Sequence, residues 1–424
     1  MLTSEENDLL CRVENDAPMG HLMRRHWVPV CMSEEVAQPD GAPVRLRILG
    51  GEYVAFRDSE GRLGVLDGHC PHRGALLALG RNEDCGLRCL YHGWKIDVEG
   101  TVQEMASEPP ESALKTKVKH EAFPVQEAGG FVWAYLGPRD AMPAFEPPPF
   151  AADPSAQVSI LKIKIPCNWA QIQEGQIDSA HSSSLHYSDM KPARVGGAEA
   201  DDKSWYRPST DKSPKLQIER TPYGFHYAAI RRPIKNAATH NYIRVTEYLA
   251  PFVSLIPPNN IYNVASINVP VDDTTTMFYF IAWGNPETCT PTDEWRRFCH
   301  AVPGVDLNPD WSPIRTLENN FLQDRDAMRG EDSFTGIPGI PNQDIAMWVG
   351  MGPIADRSKD ILGASDMAIV EFRRLMVDAA QAMAETGEAF GVGAILHGVL
   401  SYQEVMPKEV DWRTKVARES QAAE

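Results

Sequence analysis

Basic charge, long apolar runs and regularly spaced cysteines are scarce in this sequence, and each shortage removes a class of function. Its 41 Lys and Arg against 58 Asp and Glu leave a formal net charge of −17 over 424 residues. Phosphate backbones are bound by clustered cations, so no nucleic-acid partner is expected. No apolar stretch reaches the roughly 18–20 residues that a membrane-crossing helix needs, so no membrane span is expected either. The N-terminal Met1-Leu2-Thr3-Ser4-Glu5-Glu6-Asn7-Asp8 is acidic and has no apolar run behind it, unlike an export signal. The eight cysteines, at 11, 31, 70, 85, 89, 167, 289 and 299, fall irregularly. They do not read as a disulfide framework, and a reducing, cytoplasmic compartment is the expectation. The acidic surface suits solubility and the docking of a basic redox partner.

The chain is 43% hydrophobic and 23% charged, and its length exceeds one ordinary core. Two domains are therefore expected. Residues 1 to about 30 suggest one short helix ending near Leu22-Met23-Arg24-Arg25-His26-Trp27. From about 44 to 137, short alternating runs such as Tyr53-Val54-Ala55-Phe56 are separated by Asp and Gly turns, which predicts a small all-β domain. Pro143 to Pro149 holds four prolines in seven residues and stops both helix and sheet, placing a boundary at about 150. The second region, 151–424, opens with the strand Val158–Ile165 and a Pro-free helical stretch from about Asn168 to His186. Further strands follow near 215–230, 242–249, 261–269 and 276–283. Helical spacing then returns behind Ser365-Asp366, with Ile369, Phe372, Met376, Ala380 and Met383 on one face and Asp366 as the expected N-cap. The fold class this predicts is α+β.

Cys70-Pro71-His72 and Cys89-Leu90-Tyr91-His92 are the most informative feature, sixteen residues separating His72 from Cys89. Each pair offers one thiolate and one imidazole from a loop. Zinc fingers pair Cys with Cys and His with His at other spacings. A 2Fe–2S cluster of the Rieske type takes two thiolates on one iron and two neutral imidazoles on the other. That exchange raises the reduction potential to about −150 to +300 mV from about −400 mV in plant-type ferredoxins. Gly68 and Gly74 leave room for backbone N–H groups near the sulfurs, and Gly93-Trp94 follows the second pair. Cys85 reads as a loop or packing cysteine, and His69 as structural or solvent-facing.

Asp178-Ser179-Ala180-His181-Ser182-Ser183-Ser184-Leu185-His186 supplies a second centre. His181 and His186 with a distant carboxylate make a 2-His-1-carboxylate face that leaves iron(II) open positions. A histidine pair on a polar helix is ordinarily a hydrogen-bonding pair, but a stored electron upstream needs a destination. Asp344 is the expected third ligand, since it stands among uncharged neighbours where a lone charge is costly. Asp324 and Asp326, its rivals beside Arg325 and Arg329, read as solvent or salt-bridge residues. Gly350-Met351-Gly352-Pro353-Ile354-Ala355 imitates a dinucleotide loop but has a proline and no βαβ setting, so a separate reductase is required.

With these motifs the chain resembles the Rieske ring-hydroxylating oxygenase α subunits, and within them the phthalate 4,5-dioxygenase family. The likeness runs from Pro18-Met19-Gly20 and Arg24-Arg25-His26-Trp27 through Asn168-Trp169-Ala170-Gln171 and Pro257-Pro258-Asn259-Asn260 to Met351–Arg357. It implies a helix-grip (START-like) catalytic domain and homotrimers packed head to tail, sometimes stacked as hexamers. It also implies that Asp178 bridges a cluster histidine (His72 or His92) of one subunit to an iron-binding histidine of the next. The reductase would carry FMN and its own 2Fe–2S cluster and draw on NADH. The substrate would be an aromatic carboxylate, at best phthalate oxidised with dioxygen to the cis-4,5-dihydrodiol.

Two carboxylates call for arginines, whose planar fork binds them bidentately. Arg244, in the alternating Tyr242-Ile243-Arg244-Val245-Thr246, and Arg207, after Trp205-Tyr206, fall where that family places substrate arginines. Arg231-Arg232-Pro233 reads as solvated surface. Ser179 shares a helical face with Ser182, Ser183 and His186 and is a further candidate toward the iron. Demethylation, monohydroxylation, or attack on isophthalate, phenoxybenzoate or sulfobenzoate are alternatives on the same scaffold. An electron carrier of the Rieske-ferredoxin type is the alternative in another class, disfavoured by the whole region after 150.

Overall fold

The computed structural model describes residues 1–190, 207–258 and 261–416, so Trp205, Tyr206, Asn259 and Asn260 lie outside the described residues. The N-terminal region forms two helices rather than one, α1 (Ser4–Cys11) and α2 (Pro18–Arg24). Asn15 at φ 54° breaks the chain between them, and Pro18 at the first turn starts the second.

Eleven short strands follow: β1 (Trp27–Met32), β2 (Val44–Ile48), β3 (Gly51–Arg57), β4 (Leu63–Asp67), β5 (Arg81–Glu83), β6 (Gly86–Arg88), β7 (Trp94–Ile96), β8 (Val102–Met105), β9 (Ala122–Phe123), β10 (Val125–Ala128) and β11 (Phe131–Tyr135). They pair as β2-β3-β4-β9, β5-β6-β7-β8 and β1-β11-β10. The turn at Gly61, whose N–H donates to Asp58 O at 2.9 Å, joins β3 to β4. Gly100 does the same for β7 and β8, donating to Asp97 O at 3.0 Å. The proline-rich passage crosses two tryptophans, with Phe145 edge-on to Trp27 at 5.3 Å, and ends in α3 (Pro149–Ala152).

The second region is built on one antiparallel sheet. Its strands are β12 (Gln157–Ile165), β13 (Lys215–Thr221), β14 (Gly224–Arg231), β15 (His240–Leu249), β16 (Val253–Ile256), β17 (Asn263–Asp272), β18 (Thr275–Gly284) and β19 (Tyr402–Pro407). The order is β12-β18-β17-β16-β15-β14-β13, and β15 shares one edge between β16 and β19. Helices α4 (Trp169–Gln176), α5 (Thr292–Phe298), α6 (Arg325–Arg329), α7 (Ile340–Gly350) and α8 (Met367–Thr386) complete it. An antiparallel sheet with a long C-terminal helix against it is the α+β arrangement expected. Phe372 of α8 meets Trp169 at 5.8 Å and Tyr248 at 5.3 Å, closing a core that also includes Val28, Phe131 and Phe150. No helix among the described residues is long and apolar enough to cross a membrane.

Three local expectations change. The helix expected over Asn168–His186 ends at Gln176, because Asp178 Oδ1 accepts from the Ala180 N–H at 2.7 Å and redirects the backbone. Asp366 stands at the N-cap of α8 as expected, but its carboxylate accepts from the Gly363 N–H (2.7 Å) and makes no capping bond to the helix. Arg231, expected in solvent, is 1% exposed.

Buried charge anchors α4. Glu174 takes Arg357 Nε at 2.6 Å and Arg373 Nε at 2.8 Å, tying α4 to α8 and to the loop before it. Burial opposes ionisation of Glu174, but Arg357 and Arg373 outweigh it and hold the carboxyl below its usual range. Asn168 begins α4, accepting from Ala170 N at 3.0 Å while its amide donates to Cys11 O and Asp273 O.

Candidate active site

Two loops of identical bonding present Cys70, His72, Cys89 and His92. Cys70 N donates to Ala75 O at 2.8 Å and Gly74 N to Cys70 O at 2.9 Å. In the second loop Cys89 N donates to Trp94 O at 2.8 Å and Gly93 N to Cys89 O at 3.0 Å. Both glycines sit at φ 72°, a conformation glycine adopts without penalty. At Gly93 a Cβ would also come within 2.8 Å of the Ala106 methyl. The matched loops bring the imidazoles of His72 and His92 together, ring centroids 4.4 Å apart, with His72 stacked on Trp94. His72 Nδ1 is buried without a hydrogen-bond partner. Burial and the adjacent Cys89 push the Cys70 thiol up to about 11, against backbone N–H donors from His72 and Arg73. Two buried sulfurs and two facing imidazoles fit a cluster that draws thiolate on one side and neutral nitrogen on the other.

The second centre forms where α4 and α7 touch. Gly175 makes that contact possible, since a Cβ there would lie 2.2 Å from Trp348 Nε1. Beyond α4 the chain turns through a short 3-10 segment, His181–Ser183, and reaches His186. His181 Nε2 and His186 Nε2 are 3.2 Å apart, and Asp344 Oδ1 of α7 lies 3.4 and 3.2 Å from them. With ligand bonds of about 2.1 Å, neighbouring octahedral positions stand about 3.0 Å apart, so the three atoms form a face that an iron ion fits. Asp324, a rival for the third position, instead caps α6 through Asp326 N and Ala327 N, and Asp326 pairs with Arg329.

Each imidazole is held from behind. His186 Nδ1 faces Gln343 Oε1 at 2.7 Å, and Gln343 Nε2 donates to Asp189 Oδ2 and Ile337 O. His181 Nδ1 lies 3.5 Å from Asp178 Oδ2, an electrostatic contact rather than a hydrogen bond. Burial opposes a charge on His181, yet Asp178 and Asp344 outweigh it and raise its proton affinity.

A cavity opens over this face. Apolar walls come from Ile256, Val264, Phe278 and Phe280, and polar groups from Ser179, Ser182, Thr246 and Arg244. Arg244 is steered by Pro257 O at 2.9 Å and by Tyr242 Oη and Gln403 Oε1 at 3.3 Å. Arg207 does not line the cavity. Its two terminal nitrogens donate to Ser183 Oγ and Ser182 Oγ, both at 2.7 Å, so it reaches the cavity through Ser182. Ser179 lines the cavity from the irregular segment, not from a helix face. Burial, Arg244 and Arg231 push Arg207 down to about 9.

Gln343, Gln403 and Arg231 were missed in the sequence. Only Arg231 left a signal there, the alternation Tyr227, Ala229, Arg231 along one strand face.

The sequence matches the Rieske [2Fe-2S] domain over residues 26–124 and the LigXa C-terminal domain like family over 134–424. It is 61% identical to the phthalate 4,5-dioxygenase oxygenase subunit of Pseudomonas putida, over 99% of this chain and 95% of that one. It is 35% identical to the 3-chlorobenzoate-3,4-dioxygenase oxygenase subunit of Comamonas testosteroni, over 98% of each. Among solved structures, the terminal oxygenase of carbazole 1,9a-dioxygenase from Nocardioides aromaticivorans IC177 superposes with TM-score 0.58 at 17% identity. That likeness covers 89% of this chain and 97% of the other, and it speaks to the fold alone.

Proposed function

This chain belongs to the Rieske non-haem iron oxygenase family, as an oxygenase subunit with a 2Fe–2S cluster and a mononuclear iron, and on that premise we propose phthalate as its substrate. The product is the cis-4,5-dihydrodiol, in which both atoms of dioxygen enter the ring with two electrons and two protons. One observation carries the reading: a single apolar cavity has three ligand side chains at one end and a buried arginine in its wall. The 61% identity to a phthalate 4,5-dioxygenase oxygenase subunit supports it.

Bound in this scaffold, the cluster stores an electron and the iron activates dioxygen. Cys70, His72, Cys89 and His92 hold the first; His181, His186 and Asp344 hold the second. Arg244 receives one carboxylate directly, and Arg207, which bonds Ser182 Oγ, brings positive charge toward the other through the Ser182 hydroxyl. Phe278 and Phe280 pack against the ring and keep water away, so the edge presented to the iron is fixed before reaction. Ser179 donates from the same wall.

As an oxygenase subunit the protein takes its electrons from a separate reductase; we assign that reductase an FMN and a 2Fe–2S cluster fed by NADH. We also assign the chain to a homotrimer, single or stacked. Asp178 there bridges His181 to His72 or His92 of the adjoining subunit; within its own chain it accepts from the Ala180 and His181 backbone N–H groups and lies 3.5 Å from His181 Nδ1. The domains divide near residue 150, and the compartment is the cytoplasm.

A single turnover of chemically reduced protein with phthalate under oxygen-18 tests the function. A dihydrodiol carrying two labelled atoms is expected. Untouched phthalate beside oxidised isophthalate, terephthalate or methoxybenzoate, or a product with one label, refutes the substrate or the dioxygenation.

A further inference from the structure

Arg231 is a third buried guanidinium beside the cavity. It ends β14, and the antiparallel register sets it opposite Tyr242, two residues from Arg244. Tyr227 and Thr246, opposite each other on the same face, line the cavity. Arg231 therefore belongs to the cavity side of the sheet. Its Nη1 donates to Ser179 Oγ at 3.2 Å and its Nη2 to Ser179 O at 2.5 Å. Its Nε is buried with no hydrogen-bond partner. Among the described residues no carboxylate pairs with it within 4.0 Å; Asp211 acts on it only from farther away. A buried cation without a partner anion is costly, and Arg244 and Arg207 add like charge. An anion entering the cavity offsets that repulsion, and a dianion offsets more of it than a monoanion.

We propose that Arg231 is a positioning and specificity-determining residue, which seats Ser179 in the cavity wall and adds the charge that selects substrates with two carboxylates over those with one. The inference rests on the dicarboxylate reading above and deepens it.

Equilibrium dialysis of the holoenzyme against phthalate and against benzoate tests it, with iron and cluster content measured on every sample. Arg231→Gln is expected to weaken phthalate about 10- to 100-fold, the range for a lost charge-assisted bond, and benzoate no more than about 3-fold. Arg231→Lys keeps the charge and should hold the phthalate-to-benzoate ratio within about 5-fold of wild type while losing absolute affinity. If Arg231→Gln does not fold, Ser179→Ala carries the test, with phthalate weakened about 3- to 10-fold and benzoate unchanged. Equal losses for both acids, at unchanged iron content, overturn the proposal and leave Arg231 a structural residue. Wild-type protein that binds benzoate as tightly as phthalate overturns the dicarboxylate reading and this inference together. A wild-type preference that Arg231→Gln leaves intact overturns this inference alone.

Discussion

Replacing Gln343 by Leu should loosen iron from the His181–His186–Asp344 face and leave the cluster untouched. The amide stands on the first turn of α7, one residue before Asp344. Its Nε2 donates to Asp189 Oδ2 at 2.8 Å and Ile337 O at 2.9 Å, which turns Oε1 toward His186 Nδ1 at 2.7 Å. An acceptor there keeps the proton on Nδ1, so the Nε2 lone pair points at the metal position. Leucine fills the space and accepts nothing, leaving the ring free to change tautomer or turn. Losing such a partner typically lowers metal affinity about 10- to 100-fold, or about 1.4–2.8 kcal/mol. The same range follows from leaving one buried N–H unsatisfied, about 1–3 kcal/mol. The assay is chelator competition on reconstituted protein, with iron counted by atomic absorption and the cluster by its visible spectrum. Gln343→Glu restores an acceptor and should keep iron better than Gln343→Leu. A folded Gln343→Leu protein whose iron affinity stays within about 3-fold of wild type would show that Gln343 does not set the imidazole.

Three further outcomes are expected. Glu174→Gln strands Arg357 in the interior, Arg373 keeping Asp360 at 2.7 Å, and should lower stability at pH 7 by about 3–5 kcal/mol in urea titrations. Because Glu174 is held below its unfolded range, its stabilisation is present above the ordinary carboxylate range and lost as pH falls through the folded value. The variant should accordingly lose part of the wild-type's decline on acidification; an unchanged acid limb counts against the ion-pair account. Arg244→Met should raise the phthalate KM about 10- to 100-fold with a smaller change in kcat, and an unchanged KM removes Arg244 from the binding wall. Asp178→Asn should keep its iron, accept electrons into the cluster, and lose about 10- to 100-fold in oxygenation rate. Full turnover in that variant would exclude a role for the Asp178 carboxylate.

Much of the chemistry was legible because its signals are local. A cysteine with glycine four residues on and a histidine between them specifies a loop whatever surrounds it, which is why two such loops share one hydrogen-bond pattern. The runs near 215–230, 242–249, 261–269 and 276–283 became β13 with β14, β15, β17 and β18, while β16 was not read, and α8 follows helical spacing. The irregular run after Gln176 was partly legible too: Asp178 and the serines are residues that bond nearby backbone and compete with helix. They were read as a helix because the stretch lacks proline and glycine to announce a stop after Gly175.

By itself the sequence determined the ligand types, the cluster loops, the His181–His186 pair and the α+β class, since each depends on neighbours a few residues apart. The tertiary structure decided what distant segments do to one another. Gln343 meets His186 across 157 residues because α4 and α7 touch at Gly175 and Trp348. Arg231 read as a solvated surface residue, and strand register turned it inward beside Arg244. A buried cation's place depends on which strand pairs with which and on the residue it faces, and those pairings are written in the packing of the whole sheet.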